Sequence, residues 1–104
     1  MTEPYYAVIF TNQLSRETEG YEDMAKNMMD LASEQPGFLG ADSVRQDVGI
    51  TISYWKDLNS IRNWRNQVDH LEAQNLGKAK WYAKYSIRIA KVEREYTFEK
   101  EGGA

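Results

Sequence analysis

The single histidine of the chain, His70, stands in a stretch from Ile50 to Tyr85 that also holds all three tryptophans, Trp55, Trp64 and Trp81. An imidazole with a reference pKa of about 6.5 takes up or gives back a proton at neutral pH, and indole faces stack on flat rings. Thr51 and Ser53 add hydroxyls, Asn12 a carboxamide and Arg88 a guanidinium on a strand nearby. Together they suit a small aromatic ligand: Trp55, Trp64 and Trp81 as walls, Asn12, Thr51 and Arg88 as orienting polar groups, and His70 as base or hydrogen-bond donor. The same residues also admit a plainer reading, in which the aromatics fill a core and His70 is a helix-surface residue or a satisfied hydrogen-bonder. Asn12, likewise, can be a turn residue.

Other chemistries find no support. One histidine cannot build a two-histidine facial triad or a three-histidine zinc site within one chain, and HLEAQ is not HExxH. Asp69 and Glu72 read as solvated charge on a helix surface. There is no P-loop, no GxGxxG and no serine elbow. The absence of cysteine removes thiolate catalysis and fits a reducing compartment. A formal net charge of −3 leaves no basic footprint for nucleic acid. No apolar run reaches the roughly 20 residues of a membrane span and no signal pattern opens the chain, so a cytoplasmic, soluble protein is expected.

The elements that must position these residues follow from periodicity. Tyr5 to Thr11 alternates as a first strand that is apolar on both sides, with Asn12 in phase with Val8 and Phe10. A helix follows: Thr18 is its expected N-cap, Glu19, Glu22 and Asp23 suit its first turns, and Tyr21, Met24, Met28 and Leu31 form its apolar stripe. Pro36-Gly37 ends it. Phe38 to Gln46 and the strand from Ile50 are joined by the short Asp47-Val48-Gly49 connection and predict an antiparallel hairpin. In the latter strand Ile50, Ile52 and Tyr54 share one side, and Thr51, Ser53 and Trp55 the other.

After Lys56 the period becomes helical, with Leu58, Ile61, Trp64, Val68 and Leu71 on one stripe and Asp57 or Asn59 as cap. That pattern extends through Asp69 to Tyr85, with a bend near Asp69-His70 and a weak point at Gly77. A last strand spans Ser86 to Phe98. At 104 residues the chain holds one domain, residues 1–98, followed by a polar tail, 99–104.

The order predicts an α+β fold: a split βαββαβ, ferredoxin-like, with an antiparallel four-stranded sheet and both helices on one face. The other sheet face is apolar, so a homodimer is expected, its two sheets facing each other and enclosing a pocket per subunit.

The segments PYYAVIF, EQPGFLG, ITISYWKDLNSIRNW and HLEAQNLGKAKWYAKYSIRIAKVEREY resemble the antibiotic biosynthesis monooxygenase domain family, over Tyr5 to Tyr96. The resemblance implies a ferredoxin-like fold that dimerises into an α/β barrel. It also implies monooxygenase chemistry on a small aromatic or quinone-like substrate, in a pocket between sheet and helices, without cofactor. In that chemistry a base, here His70, removes a phenolic proton and the electron-rich anion reacts with O₂.

Trp55 matches the family's strand-end tryptophan. The phenol-oxidising branch has an asparagine four positions before it and a tyrosine six after, where this chain has Thr51 and Ile61. The heme-degrading branch supplies the alternative function and the alternative cofactor, heme. Asn12 and Trp64 match its pattern, but Ala73 takes the place of its heme-ligating histidine. His70 lies one turn earlier, a shift of about 60° and about 4.5 Å. A third reading is a non-catalytic ligand-binding dimer.

Overall fold

The computed structural model describes residues 3–74 and 78–101, and of residues 70–74, 78 and 79 only the backbone. Its elements follow the expected order: β1 (Tyr5–Leu14), α1 (Tyr21–Ser33), β2 (Phe38–Arg45), β3 (Gly49–Trp55), α2 (Leu58–Gln74), a single turn α3 (Lys78–Trp81) and β4 (Tyr82–Val92). The strands form one antiparallel sheet ordered β2-β3-β1-β4, the ferredoxin-like arrangement. No helix among the described residues is long and apolar enough to cross a membrane.

Register divides the sheet into two faces, because residues opposite one another across strands project to the same side. Tyr6, Val8, Phe10 and Asn12 on β1 stand opposite Trp55, Ser53, Thr51 and Gly49 on β3. Tyr6 and Val8 pack on a core of Ala32 from α1, Trp55, and Ile61 from α2, with Phe38 and Trp64 alongside, so this is the helix-facing side. Ile50, Ile52 and Tyr54 share the outer face with Ala7, Ile9 and Thr11.

The turn between α1 and β2 is built on glycine. Gly37 has φ +89°, a left-handed conformation that side chains disfavour, and a Cβ there would collide with the Ser60 side chain. Its carbonyl accepts the Lys56 amide at 2.9 Å, which ties the turn to the end of β3. Asp57 caps α2, its Oδ1 accepting from the Ser60 amide at 2.8 Å and from the Ser60 hydroxyl at 2.7 Å. Those donors hold the Asp57 carboxyl below the usual carboxylate range.

Four boundaries differ from the sequence-based expectation by more than one residue. Helix α1 starts after Gly20, in a left-handed conformation with φ 84°, and takes no side-chain cap from Thr18. The Thr18 carbonyl instead accepts the Tyr21 amide at 2.9 Å in a preceding turn. Strand β1 continues past Thr11 to Leu14. That extension gives Tyr82 and Tyr85 ladder partners in Leu14 and Asn12, so the chain leaves the helical state at Trp81 instead of Tyr85. At the other end Val92 pairs with Tyr5, the first residue of β1, and β4 stops there, well short of Phe98. Beyond it Tyr96 and Phe98 are 84% and 90% exposed.

Candidate functional site

The helix-facing side of the sheet carries two separate aromatic groups at its two ends. At the Tyr6–Trp55 end, Trp55 lies under α2 with its ring centre 6.1 Å from that of Trp64, planes 23° apart, and with Phe38 edge-on at 5.4 Å. Its Nε1–H donates to Ser53 Oγ at 2.9 Å. Trp55 is fully buried. It therefore backs Trp64, which is only half-buried, and has no face of its own left for a ligand.

Asn12 lies six register positions further along β1, about 20 Å away at roughly 3.3 Å per residue. Its side chain is 3% exposed. Its Oδ1 accepts from Arg45 Nη2 at 2.5 Å, and the same nitrogen donates to the Tyr21 hydroxyl at 3.0 Å. The guanidinium carbon sits 5.4 Å from the Tyr21 ring centre. Tyr21 in turn meets Trp81 and Tyr82 edge-on at 5.8 Å each, and Phe10 meets Tyr82 and Tyr85 at 5.6 Å each.

Between the two ends run Thr51, hydrogen-bonded to Ser43 at 3.0 Å, and Ser53. On β4, Tyr85, Ile87 and Ile89 stand opposite Asn12, Phe10 and Val8 and so belong to the same face. They are 41%, 40% and 53% exposed among the described residues. Ile87 and Ile89 form a partly exposed apolar strip beside a row of hydroxyls and an amide, a surface suited to a flat ring.

The sequence-derived candidates are thus distributed as follows. Asn12, Thr51, Trp55 and Trp64 share the helix-facing side, with Asn12 apart from the tryptophans. Trp81 is buried and its Nε1–H donates to the Glu19 carbonyl at 2.8 Å, locking the segment before α1 to the start of β4. Arg88 stands opposite Ile9 on the outer face, donating to Ser86 Oγ at 3.0 Å. A residue one step out of phase with Tyr85, Ile87 and Ile89 cannot share their side. His70 belongs to α2, but its side chain lies outside the described residues. Helix α2 leaves the Trp55 end of β3, and β4 begins at the Asn12 end, so its later turns return towards Asn12 and Tyr85.

Two tyrosines elsewhere are held as neutral phenols. Tyr54 donates to Asp42 at 2.9 Å and Tyr5 to Glu95 at 2.6 Å. Those hydrogen bonds to carboxylates raise both above the ordinary tyrosine value, so neither can act as a base near neutrality. A recess lined by Glu3, Tyr5, Val92 and Tyr96 lies at this same end of β1, remote from Asn12.

Arg45 and Tyr21 were not among the candidates from sequence. Gly49, the first residue of β3, leaves the room for Arg45, but in the sequence it reads as part of the Asp47-Val48-Gly49 connection, so no signal there pointed to the arginine. A Cβ on Gly49 would collide with the Arg45 guanidinium.

A family model described as antibiotic biosynthesis monooxygenase matches residues 4–76. YqjZ, an uncharacterized protein of Bacillus subtilis (strain 168), is 45% identical over 98 residues, spanning 92% of this chain and 86% of its own. Among solved structures, PA3566 from Pseudomonas aeruginosa superposes with a TM-score of 0.69 at 17% identity, covering 92% of this chain and 98% of that one. SnoaB, a cofactor-independent oxygenase from Streptomyces nogalater, superposes with a TM-score of 0.65 at 14% identity, covering 95% and 100%. At those identities the structures establish the fold.

Proposed function

The chain belongs to the antibiotic biosynthesis monooxygenase family, and we propose that it is a cofactor-independent monooxygenase acting on a small aromatic or quinone-like substrate bound between sheet and helices. The observation that carries this reading is the partly exposed apolar strip of Ile87 and Ile89 beside Phe10, Asn12 and Thr51. The fold shared with the cofactor-independent oxygenase SnoaB supports it.

The reaction is the conversion of a phenol to a quinone. A ring C–H and the phenolic O–H are lost, one atom of O₂ becomes the new carbonyl oxygen, and the other leaves as water. All four electrons taken up by O₂ come from the substrate, so no external reductant enters. Removing the phenolic proton makes the ring electron-rich enough to react. His70 is assigned as that base, since it is the chain's only histidine and α2 carries it back towards Asn12 and Tyr85. Phe10 and Tyr85 form the ring contacts, and Asn12 and Thr51 orient the oxygens. Two copies assemble through the outer sheet face.

Oxygen uptake by the purified protein with a panel of phenols and hydroquinones tests this. Turnover is expected, falling about 100-fold or more in His70→Ala. Inertness across the panel would favour a non-catalytic ligand binder.

A further inference from the structure

Arg45 is an exposed cation that the fold holds in place with neutral partners alone. It reaches from β2 over Gly49 of β3 to Asn12 of β1, and α1 supplies Tyr21. Both hydrogens of Nη2 are committed there. Among the described residues the three donors on Nη1 and Nε have no hydrogen-bond partner, and no carboxylate pairs with the guanidinium. A guanidinium fixed this way beside the Phe10, Tyr82 and Tyr85 rings presents a positive charge next to an aromatic floor.

We infer that Arg45 binds the carboxylate of an aromatic acid whose ring lies on the Phe10–Tyr85 floor. A phenol, with a pKa of about 10, is uncharged in neutral water, whereas a carboxylate is already an anion when it arrives. Arginine's planar fork matches a carboxylate and rewards it over a neutral isostere. The Tyr21 hydroxyl, accepting from Arg45, keeps its own proton to donate to the same group. The ring contacts rest on the monooxygenase reading of this face; the anion specificity does not.

Calorimetric titration with 1-hydroxy-2-naphthoate and with its neutral amide, 1-hydroxy-2-naphthamide, tests the inference. The wild-type protein is expected to bind the acid about tenfold or more tightly than the amide. R45Q should erase that ratio while leaving amide binding in place. G49A, which keeps the charge but pushes it off Asn12, should reduce the ratio severalfold, as should R45K, and these two carry the test if R45Q does not fold. Equal affinities in the wild type, a preference that survives R45Q, or binding of neither probe overturns the assignment, even where oxygen uptake with phenols proceeds. An Arg45-dependent preference in a protein that consumes no oxygen would instead sink the oxygenase reading and leave this one standing.

Discussion

Trp64 of α2 lies stacked on Trp55 of β3, ring centres 6.1 Å apart, and only the strand residue is sealed from solvent. The two indoles therefore differ in what their loss should cost. Trp55→Ala should cost about 3–5 kcal/mol in denaturant unfolding, the usual range for emptying a large core site. Trp64→Ala, half-buried, should cost less, about 1–3 kcal/mol, in a fold that persists.

Gly37 and Gly20 both have positive φ, but their surroundings differ. An added methyl at Gly20 meets Trp81 at an ordinary 3.7 Å, whereas at Gly37 it strikes Ser60. Gly20→Ala should therefore cost only the left-handed backbone term, about 1–2 kcal/mol. Gly37→Ala should add an overpacking cost of about 1–3 kcal/mol. Equal losses in the two variants would contradict this local geometry.

Asp57 gives the fold an acid-side dependence. Its folded-state carboxyl titrates below the unfolded one because Ser60 donates to it twice. Its contribution is therefore present above the unfolded pKa of about 3.9 and is lost as pH falls through the folded value. Asp57→Asn keeps a good cap without the charge. Tm followed from pH 7 to pH 2 should show the gap between wild type and this variant narrowing below about pH 4.

Tyr54 makes the opposite prediction on the alkaline side. Its hydrogen bond to Asp42 raises the phenol, so the stability it lends is full below about pH 10 and disappears as pH rises through the folded value. In an absorbance titration of tyrosinate, Tyr54→Phe should remove a component from the late part of the curve. Loss of an early component would contradict the hydrogen bond.

The outer face carries Ile9, Ile50, Ile52 and Tyr54 with no helix over them among the described residues. For the assembly proposed through this face, Ile9→Glu should shift the sedimenting species from dimer to monomer with little change in the helical circular dichroism, and a wild type that sediments as a monomer would remove that assembly. An unchanged dimer would place the contact elsewhere.

Periodicity in the sequence determined the order of strands and the two long helices, the hairpin between β2 and β3, a cap at Asp57 or Asn59, the grouping of Asn12 with Val8 and Phe10 along β1, and that of Thr51, Ser53 and Trp55 along β3. These are local properties: spacing of side chains along a strand or helix fixes them before any long-range contact forms. Where strands ended was not local. Tyr82 joined β4 because β1 reached Leu14, and Val92 closed it because β1 began at Tyr5. Only tertiary structure separated Asn12 from Trp55 along the sheet, turned Arg88 to the outer face, and brought Arg45 to Asn12 and Tyr21, partners 33 and 24 residues away. Alternation along each strand can be read residue by residue. Which residues meet across three strands and a helix depends on register and on the space a missing side chain leaves, and at Gly49 that space is what lets the guanidinium through.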